Sequence, residues 1–314
     1  MLGRRRSGAP VDLTTTVGSL TLRAPVMTAS GTAGHGDELS AYVDLSVLGA
    51  VVVKSLYPEP WAGNAAPRVH ETPAGMINSV GLQGPGVRKW LEEELPAVIA
   101  TGATVVASIW GSTIDDYARA AEMLRDAPPE VVAVEVNVSC PNHHDRNRMF
   151  AHAPHTTAEA IQASSVCGLP MWAKLSPNVS DLASIAKAAH EAGADAVTLV
   201  NTVLGMAIDP ETRNYRLGGG GGGLSGPAIH PVAVRAVHDV YAAYPEIPII
   251  GVGGVARGVD AIELMMAGAS AIQVGTASFA DPRSVARVQN EIQEWCSGHG
   301  VRSVSELVGV VHDR

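Results

Sequence analysis

Residues 247–276 read IPIIGVGGVARGVDAIELMMAGASAIQVGT. Two short β-branched runs, 247–252 and 271–275, enclose a stretch with apolar residues at three- and four-residue spacing, and each run ends in glycine: Gly251-Val-Gly-Gly254 and Gly275-Thr276. Near-continuous apolar runs mark strands covered on both faces, and the spaced stretch marks an amphipathic helix, so the segment is a β-α-β unit of a parallel sheet. Glycine lets backbone amides come close to a phosphate, and the loops after strands seven and eight are the usual phosphate site of a (β/α)8 barrel.

The same alternation extends toward the N-terminus. Six further runs, 25–30, 49–55, 104–109, 131–139, 171–176 and 196–202, read as strands. Stretches 114–125, 181–192, 231–241, 259–267 and 282–295 read as helices. Asp181 and Asp281 stand where N-caps belong, Pro282 at a first helical position, and Gly193 and Gly268 just past helix ends. A doubly wound sheet shares the alternation, but eight units in about 250 residues, ending in paired glycine turns, indicate an α/β fold of the TIM-barrel type. Residues 11–16 and 20–22 flank Val17-Gly18-Ser19 and suggest a short N-terminal β-hairpin closing the barrel bottom. Segments 57–83 and 203–225 follow strand ends and are too long for plain connections, so they read as active-site loops; the six glycines from Gly218 to Gly223 read as slack surface loop. A single domain over 1–314 is expected, with residues 1–10 a flexible tail.

The chain has 314 residues, a formal net charge of −9 and 3 Cys. The acidic balance and the lack of a basic stripe argue against nucleic acid as a partner. No apolar run reaches the roughly 18–20 residues of a membrane helix, and Arg4–Arg6 lack the apolar stretch of an export signal, so no membrane and a cytoplasmic site are expected. Cys140, Cys167 and Cys296 are too few and too scattered for a disulfide framework, and without CxxC or HxxxH spacing no metal is expected.

The informative residues are polar side chains at strand ends: Ser30, Lys54 with Ser55, Asn137 with Cys140 and Asn142, Lys174, and Asn201 with Thr202. One alone would be a cap or turn residue; six strands ending this way converge on one barrel mouth. Lys54 and Lys174 suit an anion or an electron-rich ring such as a flavin, whose reduced form carries charge near N1. Cys140, stiffened by Pro141 and flanked by carboxamides, reads as an available thiolate base or nucleophile, whereas Cys167 and Cys296 read as buried bystanders.

Thr28-Ala-Ser-Gly31, Lys54-Ser55, Asn78-Ser-Val-Gly-Leu-Gln-Gly-Pro-Gly86, Asn137-Val-Ser-Cys-Pro-Asn142, Lys174-Leu-Ser-Pro177, Asn201-Thr202, Gly223-Leu-Ser-Gly226, Gly253-Gly254 and Gly275-Thr276 together resemble class 1 dihydroorotate dehydrogenase, in the family's order and along nearly the whole chain. The stretch from Asn201 to Asp209, with Leu224-Ser-Gly-Pro227, is similar to class 1B, whose catalytic subunit works with a separate iron–sulfur flavoprotein. A class 2 enzyme would carry an N-terminal membrane-associating extension and a serine base, which this sequence does not show.

The resemblance implies FMN-dependent oxidation of (S)-dihydroorotate to orotate in pyrimidine biosynthesis by a homodimer. Cys140 would take the C5 proton while hydride leaves C6 for flavin N5. Lys54, Asn78, Ser79, Val80, Gly81, Leu82, Asn137, Asn142, Asn201 and Thr202 would hold the substrate. Ser30, Lys54, Ser55, Ser108, Asn137, Lys174, Val200 and Gly226 would contact FMN, with its phosphate on Gly253, Gly254, Gly275 and Thr276. Two places depart from the family: Ser108 stands where an asparagine usually meets FMN, and 143–150 replaces a glycine-containing lid. That second departure keeps open a flavin oxidoreductase acting on another dihydropyrimidine or cyclic amide. A phosphate-binding barrel isomerase or lyase without flavin, and a catalytically dead partner-binding subunit, are the alternatives outside this chemistry.

Overall fold

A computed structural model describes residues 11–139 and 149–313. Eight strands form one parallel sheet: β1 (Val26–Thr28), β2 (Val51–Val52), β3 (Val105–Ile109), β4 (Val131–Asn137), β5 (Met171–Lys174), β6 (Ala196–Leu199), β7 (Ile249–Val252) and β8 (Ala271–Val274). Each lies within an expected run. The neighbour order is β1-β8-β7-β6-β5-β4-β3-β2. The open ends meet where the Gly49 amide donates to the Val26 carbonyl (2.8 Å) and the Thr28 amide to the Ala50 carbonyl (3.3 Å), closing the (β/α)8 barrel.

Side chains alternate along a strand, so the barrel interior fills in layers two residues apart. Met27, Val52, Val106, Ala133, Trp172, Ala196, Ile250 and Ala271 make an apolar lower layer, with Trp172 the largest. Thr15–Val17 and Leu20–Leu22 form the hairpin, and Val17 and Leu22 plug that layer from below. Two residues further along the strands the interior turns polar: Ser108, Glu135, Lys174, Thr198 and Gln273 are all buried.

Helices at Ile114–Glu122, Pro154–Ser164, Leu182–Glu191, His230–Ala243, Gly258–Met266 and Ser284–His299 pack around the outside. Asp181 caps its helix by accepting from the Ser184 amide (3.0 Å), and Gly193 and Gly268, at φ 106° and 128°, end theirs. Asp281 does not cap the last helix. That helix begins at Ser284, and the Asp281 carboxylate instead accepts from the Arg283 amide and guanidinium. Between β1 and β2 there are only 3-10 turns, Glu38–Ala41 and Leu45–Val47.

Residues 221–223 of the six-glycine run are strand rather than slack loop, in a sheet to which both long segments contribute. Val69–Thr72, Gly75–Asn78, Gly221–Ser225 and Val203–Met206 build a four-stranded antiparallel sheet beside the mouth. The glycine run is thereby explained at two positions. A Cβ on Gly223 would stand 2.1 Å from the Thr202 hydroxyl, and one on Gly222 would stand 2.5 Å from the Asn78 carbonyl. Only a strand without side chains passes between those neighbours.

Candidate active site

The C-terminal strand ends deliver their polar residues to one place. The Ser108 and Ser55 hydroxyls are 2.9 Å apart, the Asn137 carboxamide donates to Ser55 (3.1 Å), and the Asn201 carboxamide donates to the Asn137 oxygen (3.3 Å). This chain ties β2, β3, β4 and the segment after β6 together across the mouth. Ser108 is fully buried behind Ser55. The Asn201 carboxamide oxygen also accepts from the Thr202 amide (2.7 Å), while Asn78 reaches the Gly223 carbonyl (3.4 Å), bringing the added sheet onto the same rim.

Lys174 lies deeper. Its ammonium donates to Ser30 (3.1 Å), Glu135 (3.3 Å) and Gln273 (3.4 Å), and the Glu135 carboxylate also accepts from Gln273 (2.6 Å) and Thr198 (3.3 Å). An anion or an electron-rich ring is the expected partner of Lys174; the structure adds an internal carboxylate, Glu135, whose own polar neighbours Gln273 and Thr198 donate to it, as a buried ion pair requires. Glu135, Thr198 and Gln273 escaped the sequence reading, although Glu135 has the strand parity of Asn137 and is the one charge within 131–137.

Lys54 extends from β2 so that its ammonium lies 3.5 Å from where a Gly31 side chain would begin. Beside it, burial first and the Lys54 charge second push the His35 imidazole pKa down to about 4. Unfolded histidine titrates near 6.5, so between 6.5 and about 4 the unfolded chain takes up a proton that the folded chain refuses. Stability is therefore complete above that window and falls as pH drops through it. His35→Phe should lose less stability than wild type between pH 7 and 4.5 in urea denaturation; parallel losses would contradict this.

At β7 and β8 the strands run directly into the glycine turns. Among the described residues, the amides of Gly253, Gly254, Gly275 and Thr276 have no protein acceptor. Gly254 has φ 71°, and a Cβ there would lie 2.6 Å from the Cβ of His230. Gly226, at φ 95°, would strike the Gly75 backbone, and Thr276 donates to Ser225 (2.8 Å), so the added sheet borders the same cradle. Val200 is buried against Gly253. Gly254→Ala should cost about 1–3 kcal/mol of backbone strain and lower the flavin-to-chain ratio after gel filtration; full flavin content would rule the cradle out.

Cys140 and Asn142 lie outside the described residues. Ser139 just before them is held by its amide to the Asn137 side chain (3.2 Å) and by its hydroxyl to the Lys174 carbonyl (3.0 Å). Cys167 and Cys296 are buried free thiols whose pKa burial raises, as bystanders should be. Among the described residues no cluster could hold a metal, and no described helix is long and apolar enough to cross a membrane.

Unused amides on the last two strands suit a phosphate, and a buried lysine beside an amide-lined mouth suits an electron-rich ring that changes charge. The class these features define is a barrel oxidoreductase of the flavin-mononucleotide kind. The model of the dihydroorotate dehydrogenase family matches residues 12–296, and the chain belongs to that family. It is 48% identical over 297 residues, 94% of this chain and 96% of the relative, to the dihydroorotate dehydrogenase B (NAD(+)) catalytic subunit of Desulforudis audaxviator. It is 43% identical over 301 residues, 96% of this chain and 98% of the relative, to the same subunit of Geobacter sulfurreducens. A Solibacter usitatus relative, 46% identical over 96% of this chain and 98% of its own length, is provisionally named for the A (fumarate) type. The catalytic subunits of this family are FMN flavoproteins and oxidoreductases.

Proposed function

We propose that this chain is a class 1B catalytic subunit that oxidises dihydroorotate to orotate in pyrimidine biosynthesis, with FMN as its redox group. The carrying observation is the conjunction, in a member of this family, of unpartnered amides at Gly253, Gly254, Gly275 and Thr276 with the Ser108–Ser55–Asn137–Asn201 hydrogen-bond chain. FMN, when bound, supplies the acceptor for the hydride that leaves C6.

The chain's own residues do the rest. Asn78, Asn137, Asn201 and Thr202 pair with the ring amides and carbonyls, whose flat donor–acceptor edge matches carboxamides. Ser79, Val80, Gly81 and Leu82 form the turn that takes the carboxylate through the amides of Val80, Gly81 and Leu82, and Lys54 adds positive charge on that side. Asn142 is assigned to the substrate as well. The Cys140 thiolate takes the C5 proton. Ser30, Ser55, Lys174, Val200 and Gly226 hold the cofactor ring and ribityl chain, and Ser108 acts through Ser55.

The name "catalytic subunit" among relatives supports a separate partner subunit. In this proposal that partner is an iron–sulfur flavoprotein that takes the electrons, and the catalytic subunit is a cytoplasmic homodimer. The test is anaerobic: yellow purified protein should bleach with dihydroorotate and not with dihydrouracil. Protein that stays colourless when supplied with FMN would refute the flavin assignment, and bleaching by dihydrouracil alone would transfer the enzyme to another cyclic amide. NAD reduction that needs no added subunit would refute the partner.

A further inference from the structure

The turn after the strand Gly75–Asn78 carries two successive residues at positive φ, Gly81 (75°) and Leu82 (60°). Leucine rarely adopts that conformation, so its surroundings must impose it. Such a turn can present successive amides on one side, the arrangement of a backbone anion nest. Among the described residues the amides of Val80, Gly81 and Leu82 have no protein acceptor.

The turn is held from the segment that follows β2. The Asn64 amide donates to the Val80 carbonyl (3.0 Å), and its carboxamide donates to the carbonyl and hydroxyl of Ser79 (3.0 Å each). Trp61 exchanges both backbone hydrogen bonds with Gly84 (2.9 and 3.0 Å), and its indole N–H donates to the Gly81 carbonyl (3.0 Å). In a planar trans peptide the carbonyl and the following amide point opposite ways. An indole that holds the Gly81 carbonyl therefore turns the Leu82 amide away from itself.

The indole has its own support. Its ring lies 5.4 Å from Tyr57 and 5.5 Å from Trp110, which are 4.7 Å from each other. The Tyr57 hydroxyl donates to Asp116 (2.8 Å), whose carboxylate also accepts from the amides of Ser112 and Thr113 at the helix start after β3. Arg119 of that helix pairs with Glu59, next to the same aromatic group in sequence. A rigid path thus runs from the barrel to the turn.

We propose that Trp61 is a positioning residue for the substrate carboxylate: its indole N–H, fixed by Tyr57 and Trp110, sets the Gly81–Leu82 peptide so that the amides of the turn meet that anion. This rests on the reading above, in which the turn takes the carboxylate of dihydroorotate. Trp61→Phe leaves a smaller aromatic ring beside Tyr57 and Trp110 and removes the N–H. In FMN-loaded protein we expect the orotate Kd, read from the shift of the flavin spectrum, to rise on the order of tenfold, the effect of about one hydrogen bond. KM for dihydroorotate should rise with it, while kcat stays within about twofold and the thermal midpoint is unchanged. A general packing defect would instead lower the midpoint and kcat. Wild type that binds orotate while Trp61→Phe binds it equally well, or loses kcat with KM constant, overturns the role of Trp61 alone. Wild type that neither binds orotate nor bleaches with dihydroorotate overturns the functional reading and this inference with it.

Discussion

Cys140→Ala should slow flavin bleaching by dihydroorotate about 10²–10⁴-fold at neutral pH, the range a positioned general base contributes. The C5 proton is not acidic enough to leave unaided, and a thiol with a pKa near 8.5 keeps a few per cent thiolate at pH 7. The rate in wild type should therefore climb with pH until the thiol is titrated, and the alanine variant should lose that climb. Ser139 is fixed from both sides, by the Asn137 carboxamide and the Lys174 carbonyl, so the chain enters the Cys140 segment from a defined point on the rim. Orotate affinity and flavin content should be retained, because the thiol is assigned no part in either. Stopped-flow bleaching across pH 6–9 checks this; an alanine variant that bleaches at the wild-type rate would remove Cys140 from the chemistry.

Glu135→Leu should destabilise the folded protein by about 3–5 kcal/mol, because it leaves the Lys174 ammonium buried without its counter-charge. The pair has side-chain exposures of 5% for Lys174 and 0% for Glu135, so water cannot take the place of the lost carboxylate. Lys174→Met should cost a similar amount, for then Glu135 is the stranded charge. Combining the two should restore most of the loss, since replacing both buried charges by apolar groups is often close to neutral. Urea denaturation of the flavin-free proteins measures this without interference from cofactor binding. Strictly additive losses would show that the two residues do not act as a pair. FMN affinity separates function from stability: the double variant should fold yet bind FMN more weakly than wild type, because Lys174 is also assigned to the cofactor ring.

Much of this was legible in the residues. Strands β1 to β8 announced themselves because a strand covered on both faces must be apolar along its length, and composition alone carries that signal. Gly253, Gly254 and Gly275 stood out in the sequence as bare backbone at two strand ends, and their assignment to a phosphate remains the proposal above. The hairpin at 15–22 was readable because its turn is local. Other features failed for physical reasons. Gly221–Ser225 pairs with Gly75–Asn78 at Gly223↔Asn78, a contact across 145 residues of chain, and a glycine run carries no side-chain periodicity to announce it. Glu135 was passed over because one charge in an apolar run reveals its purpose only when Gln273, Thr198 and Lys174 are seen to converge on it.

The sequence by itself determined which segments are the barrel strands and that most of them alternate with helices, since those depend on neighbours within a few residues. Only the tertiary structure decided that Lys174 answers to Glu135, that strands of the two long segments pair in one sheet beside the mouth, and that Trp61 holds the turn at Gly81. Each of these joins residues from different strands or loops, and such a pairing has an energy only once the closed barrel has brought both partners to the same rim.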